Sequence, residues 1–225
     1  MSTVLVVAPH PDDETLGCGG TLLRHRSKGD SIHWLIMTTI SEALGYSRKF
    51  IQQRKEEIEH VAGEYGFASV SQTSFITTDL DVLSKKVLID EVAKNVRSVK
   101  PNVIYAPFGN DVHSDHKAVF DAMAACTKSF RYPSVKRVCL YETISETEFS
   151  LSLDDAGFRP NLWIDISQFI DRKIEIMKLY VNEMGTHPFP RSERNIRALA
   201  TFRGATAGCE AAEAFMLVKE IIEDD

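Results

Sequence analysis

The chain has 225 residues, of which 44% are hydrophobic and 26% charged, and its formal net charge is −6. This composition is ordinary for a globular protein and argues against a disordered chain, while the acidic balance argues against a general binder of nucleic acid or anionic membranes. We therefore predict one domain covering residues 1–225.

Cysteine usage and hydropathy indicate a cytoplasmic protein. The four cysteines are far apart and form no Cys-x-x-Cys pair, which is typical of reduced, mostly buried thiols. No apolar run reaches about 18 residues, so we predict no membrane span. The N-terminus lacks the basic region and the apolar core of a signal peptide.

Short strands alternate with helical patterns along the chain. The strands are predicted at 3–8, 31–39, 74–78, 102–108, 137–142 and 162–166, and the helices at 15–28, 48–65, 81–99, 114–130, 167–184 and 210–223. Apolar strands alternating with helices predict an α/β fold with a Rossmann-like, doubly wound, mostly parallel sheet in a single domain. Residues 143–161 are predicted to form a hairpin or a lid, and residues 185–195 a proline-rich loop.

Two clusters of metal-capable side chains directly follow predicted strands. The segment HPDDE (10–14) follows the first strand, and the segment HSDH (113–116) follows the fourth. Ligands bind outside the carboxyl ends of the strands in such sheets, so both turns are expected at the binding edge. Either cluster alone is most simply a turn or a helix cap, but two clusters at strand ends favour a shared site.

The donor set suits a catalytic metal site. Zinc at such sites takes three protein ligands from histidine and carboxylate side chains, and His10, Asp13 and His116 would supply them. Each cluster places its pair of potential ligands three positions apart, on the same side of one helical turn or tight loop. Fe(II) suits the same ligands, so the residue types alone leave the metal open.

The remaining residues of the clusters suggest catalytic roles. Asp12, next to a ligand, would lie near the reacting water as a general base. His113 would face the open side of the metal as an electrophile or proton donor, and Asp115 could orient an imidazole. Glu14 is interpreted either as a group that supports these residues or as an acid that complements the helix dipole. Glycines at 17, 19 and 20 match no phosphate loop and are expected to let a helix approach the sheet closely.

These motifs resemble those of the PIG-L/LmbE family of zinc-dependent N-deacetylases. The segment APHPDDETLGCGGTL (8–22) is close to that family's N-terminal signature, and HSDH matches its second motif, H-x-D-H. Weaker likenesses extend the match over nearly the whole chain, in QRKEEIEHVAGEYGF, RPNLWIDISQFIDRKIEIMKLY and GCEAAEAFML.

The resemblance implies the same three ligands and the same general base. It makes His113, in its protonated form, the residue that stabilises the oxyanion. It also implies three substrate-binding residues, Arg54, Glu57 and Arg137. Some family members carry a tyrosine two residues before the second motif, where this chain has Asp111, so no tyrosine proton donor is expected there.

The implied activity is removal of the N-acetyl group from an N-acetylated amino sugar of the N-acetylglucosamine type, or from its conjugate. Zinc is the expected cofactor, with Fe(II) or another divalent metal as the alternative. The expected partner is this small molecule and not nucleic acid, and a homo-oligomer remains an option. Two other functions stay open: another metal-dependent hydrolase (a phosphoesterase or amidase), or a metal-containing module that binds a sugar or nucleotide.

Overall fold

The computed structural model describes residues 1–151 and 157–223, which contain one sheet with helices on both faces. The strands are β1 (Thr3–Ala8), β2 (Ser31–Ile36), β3 (Ser69–Gln72), β4 (Val103–Pro107), β5 (Arg137–Tyr141), β6 (Leu162–Asp165) and β7 (Ala212–Glu220). The α-helices are α1 (Asp13–Ser27), α2 (Arg48–Tyr65), α3 (Lys85–Val99), α4 (Ser114–Ala125), α5 (Ile170–Met177) and α6 (Glu193–Ala207). Short 3-10 helices, Glu42–Leu44 and Leu80–Val82, precede α2 and α3.

The strand order is β3-β2-β1-β4-β5-β7-β6. Strands β1 to β5 are parallel, whereas β7 runs antiparallel to its neighbours β5 and β6. The chain moves from β1 toward β3 on one side and from β4 toward β5 on the other. The crevice between β1 and β4 is therefore the topological switch point, where ligands bind in doubly wound sheets.

Successive residues of β1 point into two separate cores. Val4 and Val6 pack under α1, α2, α5 and α6, while Leu5 and Val7 pack under α3 and α4. This burial on both faces explains the continuous apolar run of β1 and confirms the predicted mostly parallel α/β sheet. Within the described ranges, no helix combines the length and the apolar character needed to cross a bilayer.

The C-terminal third differs from the prediction. The helix predicted at 210–223 is wrong, because this segment contains β7. Its Ala, Glu, Leu and Lys residues favour a helix locally, but pairing with β5 on one side and β6 on the other overrides that preference. The helix predicted at 167–184 is shorter in the structure, where only α5 forms. Helix α6 was not predicted.

Two further predictions concern irregular parts of the chain. The third strand lies at Ser69–Gln72 and not at 74–78. The hairpin or lid predicted for 143–161 falls partly on 152–156, which lie outside the described residues, and the described rest contains neither helix nor strand.

Helix α1 begins at the candidate site and packs unusually close to the sheet. It bends at Cys18, whose φ of −144° and ψ of 22° are not helical. A Cβ on Gly17 would lie 2.2 Å from the ring of Tyr141, so no larger residue fits there. This close contact confirms the expected role of the glycines and fixes Asp13, the first residue of α1, against the end of the sheet.

A buried ion pair supports α1 beyond its bend. Lys173 Nζ lies 2.7 Å from Glu213 Oε1 and also donates to Leu16 O at 2.8 Å. The Glu213 carboxylate accepts hydrogen bonds from the amides of Gly20 and Thr21 at 2.9 and 2.7 Å. A bend leaves amides without helical partners, and this carboxylate satisfies two of them. β7 therefore helps to hold the helix that carries a candidate metal ligand.

Breaking this ion pair is expected to destabilise the fold. Lys173→Met leaves the buried Glu213 charge without its cation, which should lower the free energy of unfolding by about 3–5 kcal/mol. Lys178→Met is the control, because the Lys178–Glu193 pair is 55% and 39% exposed and should contribute only about 0–1 kcal/mol. Urea denaturation measures both variants, and equal losses would contradict the assigned role of Lys173.

Candidate metal centre and cleft

The carboxyl ends of β1 and β4 bring the two clusters side by side. The two strands pair in parallel, with Val6 opposite Tyr105, so the turns that follow them emerge at the same edge. His10 lies in the first turn, and Asp13 opens α1 directly after it. His116 lies near the start of α4, the helix that follows β4.

His10, Asp13 and His116 place one potential ligand atom each within 4.8 Å of one another. Asp13 Oδ2 lies 3.2 Å from His10 Nδ1 and 3.3 Å from His116 Nε2. His116 is completely buried, and its Nε2 has no hydrogen-bond partner within the described residues. A buried imidazole nitrogen that makes no hydrogen bond is costly, and a cation held by these three side chains would satisfy it. The residues present therefore fit a divalent metal.

The other nitrogen of each histidine contacts a carboxylate. His10 Nε2 lies 3.0 Å from Asp115 Oδ2, and His116 Nδ1 lies 2.8 Å from Asp111 Oδ2. Carboxylates in this position orient a metal-binding imidazole and set its tautomer. Asp111 therefore supports a ligand from the position where some relatives were expected to carry a tyrosine.

A second group of potential ligands, His10, His113 and Asp115, fits a cation less well. Asp115 Oδ2 accepts from Thr78 N at 2.7 Å, and its Oδ1 accepts from Leu80 N at 3.1 Å. His113 Nδ1 accepts from Asp115 N at 3.1 Å as the cap of α4. These acceptors are already in use, and the group shares His10 with the first one.

Neighbouring carboxylates favour the protonated form of both candidate imidazole ligands. Burial alone would lower the pKa of His10, but hydrogen bonds with Asp115 and Asp13 raise it to about 9. Burial likewise opposes protonation of His116, but attraction to Asp13 and the hydrogen bond with Asp111 raise its pKa to about 10. A cation must displace these protons before it can bind.

Cation affinity is therefore expected to rise with pH. Well below pH 9 both imidazoles are in the charged imidazolium form, with a proton on each ring nitrogen, because their pKa values are about 9 and about 10. Loss of two protons on binding predicts an increase of up to about 100-fold in apparent affinity per pH unit. Titration against a competing chelator between pH 6 and pH 8 measures this slope. A flat profile would contradict proton displacement.

Asp12 is buried beside the three candidate ligands, in an unusual backbone conformation. Its φ is 130°, a region that few residues other than glycine adopt. Its carboxylate Oδ2 accepts from Arg191 Nη1 at 2.7 Å. Burial and the charge of Asp13 raise the pKa of Asp12 well above its ordinary value, and Arg191 opposes that rise. A carboxylate with raised basicity suits proton transfer.

Glu14 supports the backbone at this point. Its Oε2 accepts from Asp12 N at 3.0 Å, and its Oε1 accepts from the hydroxyl of Tyr180 at 2.8 Å. The side chain is completely buried, and this burial raises the pKa of Glu14 to about 7. Of its two interpretations, the structure favours direct support of Asp12.

His113 borders the cleft next to the candidate ligands, and its ring centroid lies 4.5 Å from that of His10. Burial and the nearby charges of His10 and His116 lower the pKa of His113 to about 4. The lowered pKa, together with the hydrogen bond that Nδ1 accepts, favours a neutral His113 over the protonated form expected from the sequence. Since Nδ1 accepts a hydrogen bond, the proton lies on Nε2.

Arg54 reaches the cleft, but Glu57 does not border it. Arg54 is 8% exposed, forms an ion pair with Glu183, and lies 3.5 Å from the carbonyl oxygen of Pro11. Glu57 Oε2 lies 3.2 Å from Arg54 Nε, and its Oε1 accepts from Val181 N. Glu57 therefore holds the Arg54 guanidinium in position from the side facing away from the cleft.

The structure contradicts the predicted substrate-binding role of Arg137. It is the first residue of β5, so it lies at the amino-terminal edge of the sheet, opposite the cleft. Its guanidinium forms two hydrogen bonds with Glu220, at 2.8 and 2.9 Å. The resemblance matched its position in sequence, but the direction of the parallel strands carries it away from the other residues.

Charged groups from the C-terminal part of the chain also reach the site, and they were not predicted from the sequence. Arg191 Nη1 lies 3.0 Å from Glu183 Oε2, and Glu183 also pairs with Arg54. Glu146 joins them in lining the cleft. The signal in the sequence was a charged residue, Arg191, inside the proline-rich loop 185–195. A loop has no periodicity that shows where its side chains point.

The cleft above these residues has a volume of about 270 Å³. Hydroxyl-bearing side chains make up much of its wall: Thr38, Thr39, Thr77, Thr78, Thr143 and Ser145. Tyr46 and Phe50 line it as well. A cleft that joins hydroxyls, charged groups and aromatic rings suits a small polar ligand with apolar faces.

Comparison with known proteins gives a consistent result. Residues 5–127 match the sequence model of the PIG-L family, described as GlcNAc-PI de-N-acetylase. The chain is similar to diacetylchitobiose deacetylase from Thermococcus kodakarensis, with 23% identity over 231 residues covering 97% of this chain and 84% of that protein. It is also similar to probable N-acetyl-alpha-D-glucosaminyl L-malate deacetylase 2 from Bacillus anthracis, with 21% identity over 191 residues covering 81% of this chain and 82% of that protein.

The fold is found in solved structures too. The conserved protein TT1542 from Thermus thermophilus superposes with a TM-score of 0.78 and 25% identity, over 100% of this chain and 98% of that one. The predicted resemblance and the predicted fold class are thereby confirmed.

Proposed function

Because more than half of its residues match that family's sequence model, the chain belongs to the PIG-L (GlcNAc-PI de-N-acetylase) family, and we propose on this premise that it removes the acetyl group from N-acetylated amino sugars. The named relatives are deacetylases of N-acetylglucosamine-containing compounds, which supports this substrate class. The observation that carries the proposal is a buried carboxylate, Asp12, beside three potential metal ligands in a cleft rich in hydroxyl groups.

His10, Asp13 and His116 are proposed to hold the metal. Two imidazoles and one carboxylate suit Zn²⁺ best, with Fe(II) or another divalent ion as the alternative. When bound, the metal would supply Lewis-acid activation of water and of the acyl oxygen. Three protein ligands leave room for substrate, whereas a purely structural zinc site is usually closed by four.

Asp12 is proposed to act as the general base. Arg191 holds its Oδ2 at 2.7 Å, and its other oxygen would take a proton from the attacking water. The water oxygen bonds to the acetamide carbon, and the carbon–nitrogen bond then breaks. Asp12 returns its proton to the leaving nitrogen, so the products are acetate and a free amino sugar.

His113 is proposed to stabilise the negative charge on the acyl oxygen. Its Nδ1 is held by the Asp115 amide, so its Nε2–H is available as a donor toward the cleft. A neutral donor with a fixed orientation stabilises charge that develops in the transition state without having to reorganise. Arg54, at the same side of the cleft as Pro11, is proposed to contact hydroxyl groups of the sugar.

Several broader assignments are part of the same proposal. The whole of 1–225 would act as a single domain, with Zn²⁺ and a small N-acetylated sugar as its ligands. The four cysteines, all free, support a cytoplasmic location. The net charge of −6 supports a function without nucleic acid.

An acetate-release assay on metal-reconstituted protein tests the proposal. Acetate release from N-acetylglucosamine, its glycosides, di-N-acetylchitobiose and an unrelated N-acetylated amine would be compared with phosphate release from an aryl phosphate. We expect release of acetate and a free amine from the sugars, and loss of this activity after chelation. Hydrolysis of the phosphate alone would favour a phosphoesterase. Metal binding with no hydrolysis of any compound would favour a binding module.

A further inference from the structure

The turn 143–147 forms part of the cleft wall and is attached through its backbone to the segment just before the second motif. Three of its residues line the cleft: Thr143, Ser145 and Glu146. The amides of Glu146 and Thr147 both donate to Thr143 O, at 3.1 and 2.9 Å, and these bonds close the turn. Glu146 O accepts from Val112 N at 3.1 Å. The turn therefore lies directly against the segment that leads to His116.

Thr147 adds a side-chain connection to the same segment. Its hydroxyl accepts from Thr143 N at 2.8 Å and donates to Asp111 Oδ1 at 2.6 Å. The other carboxylate oxygen, Asp111 Oδ2, lies 2.8 Å from His116 Nδ1. A continuous chain of hydrogen bonds therefore leads from the cleft wall to a proposed metal ligand.

The hydroxyl of Thr147 fixes the direction of the Asp111 carboxylate. A threonine hydroxyl has one proton to donate, and here it points at Asp111, at a distance typical of a charge-assisted O–H···O⁻ bond. Asp111 is completely buried, so bulk water does not replace this donor. Rotation of the carboxylate about its Cβ–Cγ bond would break the contacts with both Thr147 and His116. With one oxygen held by the hydroxyl, the other therefore faces the imidazole in a fixed direction.

We propose that Thr147 is a positioning residue for the metal, and that it couples the cleft wall to the metal site through Asp111. The inference rests on the metal ligands of the proposed function and goes beyond them. A cation at His116 Nε2 favours the ring orientation in which Nδ1 faces Asp111. The closed turn favours the matching orientation of Asp111, so cation and turn stabilise each other reciprocally. A substrate that contacts Ser145 or Glu146 would then meet a wall whose order depends on the metal.

Competition between the protein and a chelator for Zn²⁺ tests the role of the hydroxyl. Thr147→Val keeps the shape of the side chain without the hydroxyl, and we expect its affinity for Zn²⁺ to fall about fivefold. Thr147→Ser keeps the hydroxyl and should bind nearly as tightly as the unchanged protein. Thr127→Val is the matched control, because the Thr127 hydroxyl donates to Ala124 O at 2.9 Å, at the end of α4 far from the site.

A role limited to closing the turn gives a different result. Thr147→Val would then have a lower melting temperature but an unchanged affinity for Zn²⁺, and this outcome would overturn the inference. Equal losses of affinity for Thr147→Ser and Thr147→Val would also overturn it, since the hydroxyl would not be the group that matters.

A double-mutant cycle shows whether Thr147 acts through Asp111. Asp111→Ala alone should lower the affinity for Zn²⁺ by about 10–100-fold. In that background Thr147→Val should cause no further loss, because the carboxylate that it orients is gone. If the loss of about fivefold persists there, the two side chains act independently and the inference is wrong.

Hydrogen exchange gives a readout that needs neither activity nor a variant. By reciprocity, saturating Zn²⁺ should slow exchange of the Thr143, Glu146 and Thr147 amides in the unchanged protein by about fivefold as well. This slowing should be largely lost in Thr147→Val and retained in Thr127→Val. Exchange that Zn²⁺ does not slow in the unchanged protein would overturn the coupling and leave the deacetylase function standing. Failure of the unchanged protein to bind Zn²⁺ would overturn the proposed metal site and this inference together.

Discussion

Replacing Asp12 with asparagine is expected to lower kcat for acetate release by about 10²–10⁴-fold, the usual contribution of a general base. Asparagine has nearly the same shape as aspartate, so it is the least disruptive replacement at this position, where φ is 130°. It cannot accept the proton from water. The metal content should stay close to that of the unchanged protein, because the three proposed ligands remain.

Metal analysis and acetate release together measure this effect. Asp121→Asn is the control, since Asp121 is exposed on α4 and pairs only with Lys85 at 2.6 Å within the described residues. Its kcat should not change. A fully active Asp12→Asn protein would refute the role of Asp12, and loss of metal together with activity would make Asp12 a ligand.

Replacing His116 with alanine is expected to abolish stable metal binding and, with it, acetate release. The side chain is completely buried, and its Nε2 makes no hydrogen bond within the described residues but faces Asp13 Oδ2 at 3.3 Å. The loss in metal affinity should be at least about 100-fold, above the roughly 10–100-fold loss that follows removal of a supporting carboxylate. Competition with a chelator measures the affinity, and circular dichroism checks that the protein is folded.

Asp111→Asn provides the graded comparison. It removes the charge that faces His116 Nδ1 at 2.8 Å but keeps an oxygen that can accept the hydrogen bond. We expect a loss of affinity of about tenfold for this variant. His60→Ala, on the exposed face of α2, serves as the control and should bind metal normally. If His116→Ala keeps its metal, the cation is held by the other group of ligands, which contains His113 and Asp115.

The central part of the site was predictable from the sequence because it depends on short segments. Each cluster follows an apolar strand, and both strands belong to the parallel part of the sheet. Because β1 and β4 are neighbours in the sheet, their carboxyl ends bring the two clusters together. His10, Asp13 and His116 could therefore be grouped although about 100 residues of chain separate the two segments.

Long-range contacts were not predictable in the same way. Arg191 lies within the proline-rich loop 185–195, and its guanidinium reaches Asp12 across 179 positions. Neither hydrophobic periodicity nor a local motif indicates where such a side chain points. Arg137 shows the opposite error, because a match in sequence position does not tell which end of a strand faces the site. β7 was assigned to a helix since its residues favour one, and only its two neighbouring strands decide otherwise.

The place of β7 in the sheet also affects the order in which the protein can be completed during synthesis. β5 and β6 leave the ribosome first, with a gap between them that only β7 can fill. Glu213, on the same strand, binds amides of α1 that were made 193 positions earlier. A nascent chain that has not yet reached β7 therefore exposes an unpaired strand edge, and the helix that begins at Asp13 lacks its anchor. The proposed metal should accordingly bind only after β7 has joined the sheet.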